Sequence, residues 1–237
     1  MSTDAARAAT LPARKHARAG APLSPPTVAY AVLTIAGLVL PRTIAGEGPW
    51  QSDAALQDFF GQHDGAARAS AFFTFGAAIP LVVITAIVTT RLRRLGPEVP
   101  GRVIAQLGGA LAAAMLAVSG LTTFALTRPD VARSPAAVRA LYGIVFATGG
   151  PGFVVFAGLL LLGVSIVSLF LRLIPRWLTW AGIAIAVACE VASLAVAFDA
   201  LNVLLPVGRF GSLAWLIVLA ACLPASRAEL RGAGETP

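Results

Sequence analysis

The amino-acid sequence predicts an all-α integral membrane protein, a bundle of six transmembrane helices with two short interfacial helices on its outer face. Of its 237 residues, 57% are hydrophobic and 12% are charged, whereas about a quarter of the residues of a soluble domain are charged. The apolar residues fall into six runs, and arginines stand at the ends of these runs. This placement is typical of topology signals rather than of a nucleic-acid-binding surface. The lipid bilayer is therefore the expected partner, and nucleic acid is not.

Each apolar run predicts one helix. A spanning helix needs about 20 apolar residues, with a range of about 17–25, and five runs fit this length. The sixth is short unless the residues just before it also enter the membrane. The helices form one domain at 27–226, between a disordered basic cytoplasmic tail at 1–26 and a cytoplasmic tail at 227–237. They cover about 28–45, 69–90, 103–127, 153–171, 177–198 and 207–224.

The first run has an alternative interpretation. Its basic N-terminal flank, its apolar core at 28–40 and the small residues near 45 resemble a secretory signal peptide with a cleavage site. The flank is long for a signal peptide, so a retained helix is favoured. Cleavage would leave five helices and a new N-terminus outside.

The distribution of basic residues orients the bundle. With both termini in the cytoplasm, twelve of the 18 arginines and lysines lie in inside segments and six in outside segments. Cytoplasmic loops carry an excess of these residues. The sequence therefore predicts a cytoplasmic N-terminus and a cytoplasmic C-terminus.

Two outside loops carry helix signals. In the first loop, Ser52 is a capping residue and Gly61 can end the helix. In the third loop, Ser134 is a capping residue followed by Pro135. Both segments have an apolar face and are expected to lie at the membrane interface. The apolar residues are Leu56, Phe59 and Phe60 in the first, and Val138, Leu141, Tyr142 and Val145 in the second.

A helix break is predicted at Gly149, Gly150, Pro151 and Gly152. Three glycines and a proline in four positions disfavour a straight helix. The favoured interpretation is an interfacial helix before the break and a spanning helix after it. The alternative is a broken helix with irregular backbone at membrane depth, which is tolerated where it lines a cavity or is buried in protein.

Familiar sites for chemistry are missing from the sequence. There are two histidines, neither in an apolar run, so no pair of them can ligate haem within the spans. Metalloprotease, paired-cysteine and serine-hydrolase motifs are missing too. The sequence therefore predicts no enzymatic activity, no cofactor and no metal site. Cys189 and Cys222 are expected to be free, packed thiols.

Glu190 lies near the middle of the fifth predicted helix, where an acidic residue costs about 2.5–3.5 kcal/mol on insertion scales. Small residues share its face, Ser193 among them. One interpretation is a proton or ligand site formed by Glu190 and Ser193. The other is a neutral Glu190 that hydrogen-bonds a neighbouring helix, for example the third helix at Ser119, Thr122 or Thr123.

Two further sets of charges have structural interpretations. Asp199 ends the fifth predicted helix and Arg209 begins the sixth, so an ion pair closing their loop is expected. The outer acidic cluster could bind a cation, but its spacing matches no known site and a solvated surface is expected. The cluster comprises Asp53, Asp58, His63 and Asp64.

Three phrases in the second half of the chain are distinctive: Gly-Gly-Pro-Gly-Phe-Val from Gly149, Ile-Pro-Arg-Trp-Leu from Ile174 and Leu-Pro-Val-Gly-Arg-Phe from Leu205. With these phrases, the region of about 140–226 resembles a group of small bacterial multi-helix membrane proteins of unknown function. The resemblance implies a bacterial inner-membrane location and the multi-helix architecture, with no assigned activity or functional residue.

Two function classes follow from these patterns. The first is a non-enzymatic membrane protein that binds or senses something at its outer face, or supports a partner. The second is a small transporter or channel that uses Glu190 as its coupling or ligand site, which predicts a water-accessible cavity reaching Glu190. A second copy of the chain or another membrane protein could be the partner, since the small-residue faces allow helices to approach closely.

Overall fold

The computed structural model describes residues 21–45, 53–95 and 99–225, and this part of the chain is helical with short connections. Tight turns join the elements: a π-helical turn at Thr148–Gly152 and 3₁₀ turns at Ala192–Val196 and Asp199–Val203. The α-helices are α1 (Ser24–Ala45), α2 (Asp53–Gln62), α3 (Asp64–Leu95), α4 (Pro100–Leu126), α5 (Pro129–Ala132), α6 (Pro135–Ala147), α7 (Phe153–Leu171), α8 (Arg176–Val191) and α9 (Leu204–Cys222).

Five helical segments are long and apolar enough to cross a membrane, which confirms the predicted all-α membrane class. In α1 the described apolar segment, Ser24–Val39, is shorter than the five spanning segments. The sixth crossing therefore stays a prediction. Nearly all of the two predicted tails lies outside the described residues. The five segments are Asp64–Leu95, Pro100–Leu126, Pro135–Leu171, Arg176–Val196 and Asp199–Cys222.

The long helices form a closed ring. In spatial order α1 packs on α3, α3 on α4, α4 on α7, α7 on α8, α8 on α9, and α9 returns to α1. Helix α7 also contacts α9 and α3 across the ring. The ring order brings α1 and α9, which are far apart in sequence, side by side.

Glycines on α4 let its neighbours approach closely. A Cβ added at Gly108 would lie 2.6 Å from the backbone nitrogen of Leu160 and 2.8 Å from the carbonyl oxygen of Phe156, both on α7. A Cβ added at Gly120 would lie 2.6 Å from the backbone nitrogen of Phe75 on α3. Such close backbone approach is typical of helix packing in membranes.

The short helices α2, α5 and α6 gather at one end of the bundle, called here the capped end. Both predicted short helices are present, and Ser134 caps α6 by accepting a hydrogen bond from the backbone nitrogen of Ala137 at 3.4 Å. Ser52, the predicted cap of α2, lies outside the described residues. A small second core joins α2 and α6 to the ends of α3 and α4, formed by Leu56, Phe60, Ala67, Leu126 and Val138.

Arg91 joins three chain segments at the opposite end of the bundle. It lies near the C-terminus of α3 and is buried, with 6% of its surface exposed. Its guanidinium donates to the carbonyl of Leu223 after α9 and to that of Ala21 before α1, each at 2.7 Å. Hydrogen bonds from a charged donor are stronger than neutral ones, so Arg91 closes the ring where α9 meets α1.

Candidate functional site

A cavity of about 310 Å³ lies beneath α2 and α6 at the capped end. Its wall draws on α1, α2, α3, α4, α6, α7 and α9 and on the π-helical turn. Most of the lining side chains are apolar, and the aromatic ones are Phe59, Phe60, Tyr142, Phe146 and Phe210. The polar ones besides Tyr142 are Ser70, Thr74, Ser119, Thr123 and Arg209.

Three hydroxyl groups in the wall donate to backbone carbonyls. Ser70 donates to Gly37 at 3.1 Å, Ser119 to Val145 at 3.2 Å, and Thr123 to the carbonyl of Ser119 at 2.8 Å. A hydroxyl group has a single proton to donate. These three hydroxyls therefore face the cavity as hydrogen-bond acceptors.

Arg209 is the charged residue in the cavity wall. Its Nη1 donates to the carbonyl of Gly149 at 3.0 Å, and its guanidinium carbon lies 5.3 Å from the ring centroid of Phe153, within cation–π range. Its Nε is buried and has no hydrogen-bond partner among the described residues. Carbonyl and ring therefore stabilise the guanidinium without neutralising its charge.

The helix break supplies the acceptor for Arg209. In a regular α-helix the amide of Phe153 would donate to the carbonyl of Gly149. Here it donates to the carbonyls of Thr148 and Gly150 instead, and Gly150 has non-helical backbone angles of φ −93° and ψ −106°. Arg209 then donates to the Gly149 carbonyl.

Gly149 and Gly150 also line the cavity. Pro151 is buried beside them, and Gly152 is followed directly by α7. The alternative interpretation of the break allowed irregular backbone at membrane depth where that backbone lines a cavity. Gly149 and Gly150 meet this condition. The 13-residue α6 before the break packs on α4 and α2.

The predicted ion pair between Asp199 and Arg209 is not formed within the described residues. Asp199 is exposed on a 3₁₀ turn, whereas Arg209 points into the bundle. Helix α9 begins at Leu204, three residues before the predicted residue 207. Arg209 therefore lies more than one turn inside the helix, where it reaches Gly149.

Glu190 lies on α8 against α7, not against α4. A Cβ added at Gly158 of α7 would lie 3.1 Å from Oε1 of Glu190. This oxygen is buried and has no hydrogen-bond partner in the described part of the chain. Of the α4 residues considered as its partners, Ser119 and Thr123 instead line the cavity.

The described hydrogen bond of Ser193 is to the backbone of Glu190 rather than to its carboxyl group. Ser193 is exposed, and its hydroxyl donates to the backbone carbonyl of Glu190 at 2.6 Å. Neither residue lines the cavity. The joint role predicted for Glu190 and Ser193 stays a prediction.

The acidic cluster of the first loop is only partly described. The side chains of Asp53 and Asp58 lie outside what the structure describes. Asp64 pairs with Arg68 at 3.5 Å on the surface, and His63 stacks on Phe59 with ring centroids 6.0 Å apart. No cluster of three metal-binding side chains occurs among the described residues.

The two cysteines are not bonded to each other. Cys189 is buried and Cys222 is partly buried, and both are free thiols. Cys189 packs against α7, since a Cβ added at Gly158 would lie 2.6 Å from its Cβ.

Sequence reasoning missed the cavity because its wall is assembled from seven helices. One local signal was available in the sequence: Arg209 adjoins an apolar run. An arginine at membrane depth faces the interior or a cavity.

Comparison with protein-family models, with curated proteins and with solved structures finds no match to the chain.

Proposed function

We propose that this protein has a non-enzymatic binding role in the membrane, and that it holds a small amphipathic molecule in the cavity at the capped end. The cavity carries this proposal. Its volume of about 310 Å³ is at the lower end of the usual range for small-molecule sites, about 300–1,000 Å³. Such sites combine apolar and aromatic walls with a few polar groups, and this wall has both.

The capped end gives binding a structural consequence. Phe59 and Phe60 of α2 and Tyr142, Val145 and Phe146 of α6 line the cavity. Four of these side chains, Phe59, Phe60, Tyr142 and Val145, also belong to or pack against the second core. An occupant would therefore hold α2 and α6 in place, which suits a sensing or partner-support role.

The proposal includes an orientation. We place the protein in the bacterial inner membrane with six crossings, both termini in the cytoplasm and the capped end outside. The excess of arginine and lysine in the inside segments supports this arrangement. It would make the cavity accessible from the outer leaflet or from the periplasm.

The alternative function is a transporter or channel that uses Glu190. A buried carboxyl oxygen without a described partner supports it, because intramembrane carboxyl groups often mark proton or ion pathways. The described cavity does not reach Glu190. The binding role is therefore the better supported of the two.

Photolabelling tests the binding role. The protein in nanodiscs of zwitterionic lipid is irradiated with a neutral ten-carbon alcohol that carries a diazirine, and labelled peptides are identified by mass spectrometry. We expect labelling of the cavity face of α6 around Tyr142 and Phe146. Val145→Trp fills the cavity and should abolish that labelling.

Ile144→Trp is the matched control, since Ile144 is the adjacent residue and is exposed rather than in the cavity wall. It should leave the labelling of the cavity face intact. Labelling restricted to exposed helix faces, and equal in the two variants, would overturn the proposal.

A further inference from the structure

The charge of Arg209 has no acidic partner in the part of the chain that the structure describes. The two described ion pairs, Arg68 with Asp64 and Arg128 with Asp130, lie on the surface. The titratable group that interacts electrostatically with Arg209 is Tyr30, a buried tyrosine of α1. The cavity therefore has a positively charged wall and no carboxylate to balance it.

The guanidinium also has unused hydrogen-bonding capacity. Arginine carries five N–H donors in a planar fork. The described bond to Gly149 uses Nη1, and the N–H on Nε is buried without a partner. The remaining N–H groups of the two Nη atoms make no other hydrogen bond among the described residues, and a carboxylate or phosphate oxygen matches the geometry of this fork.

The rest of the wall suits an apolar body more than a second polar group. Phe146 and Phe210 lie in the wall with Leu38, Val154 and Leu205. Ser119 and Thr123 direct their hydroxyl protons to backbone carbonyls. Their protons are therefore not available to a ligand head group, whereas Arg209 keeps N–H donors.

We infer that the occupant is an anionic amphiphile whose carboxylate or phosphate head group binds the Arg209 guanidinium beside Gly149, with its apolar chain among the aromatic side chains of the cavity. This inference rests on the proposed binding role and assigns its ligand class.

Displacement of the neutral photolabel from the cavity tests the ligand class. Four ten-carbon competitors differ in their head groups: decanoate, decyl phosphate, decanol and decylammonium. On the wild-type protein we expect the better of the two anions to displace the label at a concentration about tenfold or more below that of decanol, which corresponds to one charge-assisted hydrogen bond. Decylammonium should be the weakest competitor, because like charges repel. The order of decanoate and decyl phosphate distinguishes a fatty-acid head group from a phosphate.

Arg209→Gln should remove the preference for anions while the label still enters the cavity. Arg176→Gln is the matched control, because Arg176 is exposed at the start of α8 and outside the cavity wall. Arg176→Gln should keep the wild-type order of the four competitors. Comparing it with Arg209→Gln also corrects for differences in how the competitors partition into lipid. If Arg209→Gln does not fold, the wild-type order of the four competitors decides by itself.

The outcomes separate the two proposals. Equal displacement by decanoate, decyl phosphate, decanol and decylammonium, with the cavity labelled, overturns the anionic ligand and leaves the binding role standing. Failure of the neutral label to enter the wild-type cavity overturns both.

Discussion

At the scale of residues, two ionisable side chains on apolar helices have different surroundings. Arg209 lines a cavity and donates to a backbone carbonyl freed by the helix break. Glu190 places one carboxyl oxygen against Gly158 of α7, outside the cavity. The sequence drew attention to Glu190 because an acidic residue in an apolar run is conspicuous. Arg209 was assigned to a loop ion pair because it was placed at a helix end.

Glu190→Gln tests the transporter alternative at this scale. An amide has nearly the same shape as a carboxyl group, and no described cation or donor faces Oε1. We expect the variant and the wild type to have parallel melting temperatures from about pH 5 to about pH 9, and cavity labelling to be unchanged. A difference that varies with pH would show that Glu190 titrates in the folded protein and would favour the transporter.

At the scale of elements, the packing of α4 between α3 and α7 depends on glycines that bring backbones together. The sequence predicted each helix from its own hydropathy and the break from its glycines and proline. It did not indicate which glycine faces which neighbour. Gly108 meets α7 and Gly120 meets α3, and this depends on how each helix is rotated in the bundle.

Gly108→Ala is predicted to weaken the contact between α4 and α7. The added Cβ meets backbone atoms of α7, so the two helices must move apart. Overpacking of this kind costs about 1–3 kcal/mol and should lower the melting temperature in nanodiscs. Gly143→Ala in α6 is the control, because a Cβ there meets nothing within 4 Å and alanine favours helix by up to about 1 kcal/mol. Equal melting of the two variants would contradict the close approach of α4 and α7.

At the scale of the whole molecule, the ring of helices has two unlike ends. The capped end carries α2, α5 and α6, and the cavity lies beneath α2 and α6. The other end is closed by Arg91, which joins the segment before α1 to the segment after α9. Arg91 is one of the twelve arginines and lysines in the predicted inside segments, and the structure shows it buried between chain segments.

The proposed orientation is tested by labelling single cysteines in whole cells. In a chain with Cys189→Ala and Cys222→Ala, one variant carries Gly65→Cys at the capped end and the other carries Arg93→Cys at the opposite end, both at exposed positions. We expect a membrane-impermeant maleimide to label the first in intact cells and the second only after permeabilisation. The reverse pattern would place the capped end in the cytoplasm.

The sequence by itself determined the membrane class, the presence of the short helices and the location of the break, because hydropathy, capping residues and glycine–proline content are local properties. Only the tertiary structure decided that Arg209 reaches Gly149, that seven helices line a cavity beside them, and that Glu190 faces α7. Each residue turns an α-helix by about 100°, so the direction in which Arg209 points depends on how α9 is rotated in the bundle. Rotation and depth are set by packing among helices distant in sequence, and no single stretch of the chain contains that information.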